Sequence, residues 1–289
     1  MSHFRRPFLL VAAVSALVSV AACAPADETS SAPSPSASGA SCDKAGLNLV
    51  SAGKLTVGTD SPAFEPWFAD NKPGNGKGFE SAVAYAVAQK LGFAQPDVSW
   101  TTVPFNSSFA PGRKKFDFDI NQVSITAARQ KAVDFSTGYY TVTQAVVALN
   151  DSKVAGATTL AELRDATLGA QIGTTSLQAI KAAVQPSKEP RVYNDNNDVK
   201  SALQNGTIDA AVFDLPTSFY LTAAEIKDSK IVGQFPSTGT PEQFGLLFEK
   251  GNPLVSCVNT ALEALRADGT LAKIQDQWLA AAAGAPVLK

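Results

Sequence analysis

The sequence predicts an α/β fold of two lobes, each with a mostly parallel sheet flanked by helices, joined by two hinge crossings. Strand and helix patterns alternate along most of the chain, which is typical of parallel sheets. The alternation restarts after a long β-rich segment at 137–150. A second long β segment follows at 242–250, so the chain is expected to cross twice between two bodies that enclose a cleft.

The first 22 residues are predicted to be an export signal rather than part of the fold. Arg5 and Arg6 precede an uncharged apolar run at 8–20, which is short for a membrane span and rich in small residues. The run leads into VAAC, which resembles a bacterial lipobox, so Cys23 is expected to become a lipidated, palmitate-bearing N-terminus. A plain signal peptide with a chance cysteine is the alternative.

Residues 23–41 are predicted to form a disordered tether. After the cysteine the segment reads APADETSSAPSPSASGAS, and such a composition cannot bury enough apolar surface to fold. A lipid-anchored cysteine with this tether is expected to hold the body on the extracytoplasmic face of the bacterial cell membrane. Firm anchoring there needs more than one acyl chain.

Composition and charge exclude several functions. Cleavage before Cys23 removes two of the 24 basic residues and none of the 26 acidic ones, which leaves a side-chain charge of about −4. No basic patch indicates a nucleic-acid partner. Cleavage also removes His3, the only histidine, so the mature chain has no histidine-based triad and no histidine-ligated metal. No cofactor or metal is expected, and the protein is expected to be a monomer.

Two cysteines remain after cleavage, Cys42 and Cys257. In an exported protein such a pair is usually a disulfide. Cys257 lies in a segment whose apolar residues fall on one helical face, so a bridge would pin the start of the body to a helix near its end. Two buried free thiols are the alternative.

The individual elements follow in chain order. The patterns predict strands at 54–60, 97–105 and 114–126, and helices at 78–91 and 126–133. Farther along they predict strand, turn and helix over 166–180, helix then strand over 194–214, a strand at 230–235, and helices from 251 to 279. Lobe I is therefore predicted to comprise residues 42–145 and 246–289, and lobe II residues 146–245 with the hinge segments.

Six segments carry a family resemblance that spans about residues 50–280. They are KLTVGTDSPAFEPW, GFESAVAYAVAQKLG, FDFDINQVSITAARQKAVDFSTGYY, IGTTSLQAI, NGTIDAAVFD and FGLLFEKGNPLVSCVNTALEALRADGTLAKIQDQW. Together they resemble the polar-amino-acid family of bacterial extracellular solute-binding proteins, family 3, the receptors of ABC importers. The resemblance implies a periplasmic-binding-protein type II ("Venus flytrap") fold that closes on a free amino acid and delivers it to a membrane permease.

The resemblance also implies ligand-binding residues. Arg129 matches the arginine that grips the ligand α-carboxylate, Ser124 the residue that supplies hydroxyl and backbone contacts to the ligand, and Thr175 the second lobe's carboxylate contact. Asp214 matches the acid that takes the α-ammonium, and Phe64 the aromatic that covers the ligand. Further candidates for the cleft wall are Trp67, Phe105 and Gln122, the last of which would project into the cleft and shorten the acceptable ligand.

Physical reasoning supports these assignments. A guanidinium fork binds a planar carboxylate well, and a helix starting near Thr126 would add backbone N–H groups. Thr175 and Gln178 have capping-box spacing, which predicts a second helix start there. Asp214 ends a strand, where α/β sheets place ligand groups. Without the resemblance, each residue has an ordinary alternative: a solvated arginine, a capping aspartate and core aromatics.

Some features leave other functions open. GFESA has Ala82 where the family usually has a second acid. An enzyme on the same fold, a dehydratase, would need a positioned acid or base, for which Asp60, Glu65 and Asp214 are the carboxylate candidates. Asp60 or Glu65 could instead meet a cationic ligand side chain. A sensor module would usually continue into a membrane span and a cytoplasmic domain, whereas this sequence ends at GAPVLK.

Overall fold

A computed structural model of the protein describes residues 42–237, 239–280 and 284–289. The expected signal peptide (1–22), Cys23 and the tether (23–41) lie outside the described residues. The twelve strands of the described part are β1 Leu55–Thr59, β2 Val98–Thr102, β3 Phe118–Asp119, β4 Val133–Phe135, β5 Tyr140–Val142, β6 Gln144–Leu149, β7 Leu168–Gln171, β8 Arg191–Tyr193, β9 Ala210–Asp214, β10 Ser229–Gln234, β11 Glu242–Phe244 and β12 Leu247–Glu249.

Seven α-helices cover the sheets in the described part. They are α1 Phe79–Lys90, α2 Phe105–Ser108, α3 Thr175–Ala179, α4 Asn196–Gln204, α5 Leu215–Tyr220, α6 Leu254–Ala267 and α7 Thr270–Leu279. π-Helical turns at Ile180–Val184 and Leu221–Glu225 extend α3 and α5. Within these described ranges, no helix is both long and apolar enough to cross a bilayer.

Lobe I is built on a five-stranded sheet in the order β2-β1-β3-β12-β4. Strand β1 pairs in parallel with β2 and β3, whereas β12 runs antiparallel to β3 and β4. The core of this lobe packs the sheet residues Leu55, Val57 and Phe118 against apolar residues of α1, α6 and α7. All three sheet side chains are fully buried.

Lobe II is built on a second five-stranded sheet in the order β10-β6-β9-β7-β8. Strand β7 pairs in parallel with β8 and β9, and β6 runs antiparallel to β9 and β10. In each sheet four of these five strands run in the same direction, as predicted, and one strand, β12 in lobe I and β6 in lobe II, runs against them. The reason is the chain path: β6 and β12 each follow directly from a strand that crosses between the lobes, and each enters its sheet in the opposite direction.

The two crossing segments form a small sheet of their own between the lobes. Strand β5 pairs antiparallel with β11, with Val142 opposite Glu242 and Tyr140 opposite Phe244. An isolated bridge joins Ser124 to Phe244 on the other side of β11. The structure therefore contains the two crossings that the sequence predicted, and Ser124 lies beside the second of them.

The end of the chain departs from the expected lobe boundaries. Val287 pairs with Gln234 of β10, and Leu288 is buried in the core of the lobe II sheet. Lys289 donates its backbone N–H to Thr158 O. Residues 284–289 thus pack on lobe II and not on lobe I. The reason is that Leu288 is buried in the lobe II core and the backbone beside it pairs with the edge strand β10.

A disulfide joins Cys42 to Cys257. Cys257 lies on the buried face of α6, where it is 2% exposed. The bridge closes a sequence separation of 215 residues and fastens the start of the described chain to lobe I.

Candidate functional site

A cavity of about 30 Å³ lies where side chains of both lobes meet. Five of the predicted site residues line it: Phe64, Phe105, Gln122, Thr175 and Asp214. Asp60, which the sequence offered as a partner for a cationic ligand side chain, lines it too. The remaining lining residues, which the sequence did not single out, are Asn121, Gln171, Thr174, Ser176 and Asn196. A groove of about 340 Å³ begins at the same place, since Phe64 and Asn196 line both spaces.

Arg129 lies beside this cavity and joins the two lobes. One terminal nitrogen donates to the carbonyl oxygen of Ser124 at 2.7 Å, and the other donates to that of Gly173 in lobe II at 2.8 Å. The guanidinium carbon lies 4.5 Å from the ring centroid of Phe109 and 5.5 Å from that of Phe105. The aromatic faces hold the planar cation in one orientation.

Burial changes the acidity of Arg129 without removing its charge. The residue is 7% exposed, and loss of hydration lowers its pKa to about 10. The carboxylates of Glu242 and Asp214 act in the opposite direction and favour the charged form. The guanidinium therefore remains a cation at neutral pH, in an environment where its electric field is poorly screened.

The expected helix over 126–133 is not formed. Only a single 3₁₀ turn, Arg129–Lys131, is present, and the backbone N–H of Arg129 donates to Thr126 Oγ1. The chain leaves the turn because residues from Val133 onward pair with β12 as strand β4. A helix start at Thr126 thus contributes nothing to anion binding, and the positive charge at this place belongs to Arg129 alone.

Ser124 and Thr175 approach each other across the lobe boundary, with 3.3 Å between their hydroxyl oxygens. Thr175 is the first residue of α3, so the predicted helix start is confirmed. The cap, however, is Thr174, whose Oγ1 accepts the backbone N–H of Leu177 at 3.1 Å. The cap thus lies one residue before the predicted position. The Thr175 hydroxyl does not cap the helix and faces Ser124 instead.

Asp214 ends β9 and stands at the lobe II side of the cavity, as the sequence predicted. Its Oδ1 accepts a hydrogen bond from Gln144 Nε2 at 2.7 Å. Loss of hydration raises the pKa of Asp214 to about 8, and repulsion by Glu242 adds to the rise. An ammonium group placed here would lower that pKa, because it would stabilise the carboxylate form.

Gln144 and Glu242 belong to the site although the sequence reasoning missed them. Gln144 is 4% exposed, and its Oε1 accepts from Ser176 Oγ at 2.5 Å. Glu242 Oε1 accepts from Ser124 Oγ at 2.5 Å. Both residues open an apolar β segment, QAVVAL and EQFGLLF. A polar residue at the start of an apolar β segment was the available sequence indication.

Gln122 lines the cavity, but its side-chain amide is held by Glu80. Its backbone N–H donates to Glu80 Oε1 at 2.7 Å, and its amide nitrogen donates to Glu80 Oε2. The hydroxyl of Tyr139 also donates to Glu80. Burial raises the pKa of Glu80 to about 7. Gln122 therefore forms part of the cavity wall, but its side chain is not free to contact a ligand. Its backbone, which has a φ of +49°, is held by the same glutamate.

Trp67 is a core residue and does not line the cavity. It is fully buried and packs edge-on against Phe79, Tyr140 and Phe244. Its indole N–H donates to Thr217 Oγ1 of lobe II at 2.9 Å. The prediction of an apolar wall at Trp67 is wrong because three aromatic neighbours enclose the ring, and its polar atom joins the lobes instead.

A two-lobed α/β fold whose lobes meet at a cavity lined by polar and aromatic side chains is typical of solute-binding proteins. The chain belongs to the bacterial extracellular solute-binding proteins, family 3, whose family model matches residues 55–281. It is 28% identical over 242 residues to the L-cystine-binding protein TcyJ of Escherichia coli (strain K12), covering 83% of this chain and 88% of that protein.

Two further likenesses are informative. The chain is 30% identical over 237 residues to ABC transporter arginine-binding protein 1 of Escherichia coli (strain K12), covering 78% of this chain and 90% of that protein. A solved structure of the ancestral amino acid-binding protein AncCDT-1, a precursor of cyclohexadienyl dehydratase, matches with a TM-score of 0.66 and 31% identity. It covers 78% of this chain and 95% of that one.

Proposed function

We propose that this protein is an extracytoplasmic receptor that binds a free amino acid between its lobes and delivers it to the permease of an ABC importer. The observation that supports the proposal best is the placement of a guanidinium and a carboxyl group from different lobes where the lobes meet. Asp214 of lobe II lines the interlobe cavity, and Arg129 of lobe I packs against Phe105 of the cavity wall and bonds to Gly173 of lobe II. A zwitterionic amino acid carries the two complementary groups, so it would satisfy both charges at once.

The size of the cavity supports a mechanism with moving lobes. A space of about 30 Å³ accommodates about one water molecule, which is far less than an amino acid needs. The ligand would therefore enter when the lobes separate about the β5–β11 crossings, and the lobes would close upon it. Direct contacts between the lobes, such as Ser124 with Thr175, would then be exchanged for contacts to the ligand.

A thermal-shift screen tests the proposed binding. The purified body is heated with each common amino acid and with L-cystine, because binding to the native state alone raises the midpoint of unfolding. We expect a concentration-dependent rise with at least one of them. No rise with any free amino acid at millimolar concentration would contradict the proposal.

Attachment to the membrane through Cys23 is part of the same proposal. The lipobox-like VAAC sequence and the Ser/Pro/Ala segment that follows it support it. Expression in a bacterium supplied with an alkyne-tagged palmitate, followed by click labelling, is expected to label the wild type and not Cys23→Ser. Equal labelling of Cys23→Ser would show that the lipid is attached elsewhere. An unlabelled wild type would contradict the proposed lipid anchor.

A catalytic role on the same fold is the alternative that the dehydratase-precursor likeness raises. The relatives compared above are named as binding proteins, which supports binding without turnover. Incubation of the protein with its ligand, followed by mass spectrometry, separates the two functions. We expect intact ligand; a dehydrated product that accumulates in proportion to protein would establish an enzyme.

A further inference from the structure

Glu242 places a carboxylate of the chain itself at the hydroxyl that the resemblance assigns to the ligand. Its backbone is fixed in β11, opposite Val142 of β5. The bridge between Ser124 and Phe244 holds Ser124 in register beside the same strand. The 2.5 Å bond from Ser124 Oγ to Glu242 Oε1 thus joins two residues whose backbones are both fixed.

The surroundings of Glu242 are those of a bound anion. The Gln144 amide nitrogen lies 3.4 Å from each of its carboxylate oxygens, and the Thr175 hydroxyl lies 3.3 Å from Ser124 Oγ. Arg129 is close enough for the Glu242 charge to act upon it. Arg129 and Thr175 are expected to hold a ligand α-carboxylate, and the Ser124 hydroxyl, which is expected to contact the ligand, lies beside that of Thr175.

A serine hydroxyl has one proton to donate, so it serves either Glu242 or an incoming carboxylate. Two carboxylates side by side at these groups would also repel each other in a poorly screened place. Asp214 already supplies an acid for an ammonium group, and Gln144 stands between Asp214 and Glu242. Glu242 is therefore not needed as a second acceptor for the ammonium group.

We propose that Glu242 is a specificity-determining residue that competes with the ligand's α-carboxylate for the Ser124 hydroxyl and so weakens the binding of free amino acids. This inference rests on the proposed function. A free amino acid must turn the Glu242 side chain away before Ser124 can donate to it. Ligands that offset this cost by contacts elsewhere in the cleft are selected over those that bind through their α-groups alone.

Calorimetric titration of the wild type and three variants tests the proposal, with glycine, L-arginine and L-cystine as probes. We expect Glu242→Ala to bind at least one probe about tenfold more tightly than the wild type, since a charge-assisted hydrogen bond no longer has to be broken. Glu242→Gln, which keeps the shape and removes the charge, is expected to show a gain in the same direction. Glu263→Ala, an exposed glutamate of α6, is the matched control and should leave affinity unchanged.

A double variant separates competition from a structural effect. If Glu242 acts through the Ser124 hydroxyl, adding Glu242→Ala to Ser124→Ala should give no further gain in affinity. Unchanged or weaker binding by both Glu242 variants, with wild-type binding intact, would overturn the inference alone. Binding by Glu242→Ala but not by the wild type would support it. Failure of every protein to bind any probe would overturn the proposed function, and the inference with it.

Discussion

Arg129 of lobe I donates a hydrogen bond to the carbonyl oxygen of Gly173 in lobe II, at 2.8 Å. Gly173 has a φ of +76°, and a Cβ at this position would lie 2.0 Å from Asn106 Oδ1. The bare backbone of Gly173 thus allows both its left-handed conformation and its close approach to lobe I. The same guanidinium therefore bonds the two lobes together and is the group proposed to bind a ligand carboxylate.

Arg129→Lys is expected to weaken amino-acid binding by about tenfold or more. Lysine keeps the positive charge but loses the planar fork and its position between Ser124 and Gly173, and each charge-assisted hydrogen bond contributes about 1.5–3 kcal/mol. Calorimetry with the ligand found by thermal shift measures the effect. Arg113→Lys, at an exposed arginine, is the control. If Arg129→Lys binds as tightly as the wild type, the guanidinium does not contribute to ligand binding.

The raised pKa of Asp214 predicts a pH dependence of stability. In the folded protein this carboxyl has a pKa of about 8, against an ordinary value of 3.8. The folded state therefore holds the proton more tightly, so the contribution of Asp214 to stability is fully present below pH 3.8. It is lost as pH rises through about 8. Urea unfolding between pH 4 and 8 should thus show a steeper loss in the wild type than in Asp214→Asn.

Asp209 provides a control of opposite sign for the pH experiment. Its pKa is lowered by its bonds to Lys153 and Thr167, although partial burial acts against them. Its contribution to stability is therefore present at neutral pH and lost as pH falls. Asp209→Asn should reduce stability at neutral pH and leave the Asp214-dependent loss in place. Parallel pH profiles for the wild type and Asp214→Asn would contradict the assignment of that loss to Asp214.

Gln122→Ala is expected to lower the free energy of unfolding by about 1–3 kcal/mol, because it removes an amide donor from the buried Glu80 carboxyl. Urea unfolding at neutral pH measures the change. Gln89→Ala, at an exposed glutamine of α1, is the matched control and should change stability by less than about 0.5 kcal/mol. An equally small effect in both variants would show that Glu80 does not depend on the Gln122 side chain.

The disulfide is expected to stabilise the fold by about 2–5 kcal/mol, since it closes a long loop in the unfolded chain. The double variant Cys42→Ser/Cys257→Ser should therefore unfold at a lower urea concentration than the oxidised wild type. Reductant should lower the stability of the wild type and leave the double variant unchanged. A reductant effect of the same size in both proteins would indicate a cause other than this bridge.

The sequence predicted those features that depend on local pattern. Alternating strands and helices, the two crossing segments and the position of Asp214 at the end of β9 all follow from periodicity and element ends. The helix expected over 126–133 failed because pairing of β4 with β12 overrode a local preference for helix. The same limitation applies to residues 284–289, which bind the edge of a sheet in lobe II.

The missed site residues depend on contacts between distant parts of the chain. Glu242 meets Ser124 across 118 residues, Gln144 meets Asp214 across 70, and Glu80 meets Gln122 across 42. A one-dimensional pattern does not encode such pairs, because each residue alone resembles an ordinary polar residue at the start of a strand or helix. Trp67 is the opposite case, a residue predicted for the site that does not belong to it. Its ring is suited to a ligand wall but is enclosed by other aromatic rings.

Calorimetric titration with blocked derivatives tests most directly whether a free amino acid is held between Arg129 and Asp214. The amino acid found by thermal shift is compared with its α-amide, which lacks the carboxylate, and its N-acetyl form, which lacks the ammonium. We expect each derivative to bind at least about tenfold more weakly, since each loses a charge-assisted hydrogen bond to the site. Binding of either derivative as tightly as the free amino acid would contradict the role assigned to the residue facing the blocked group.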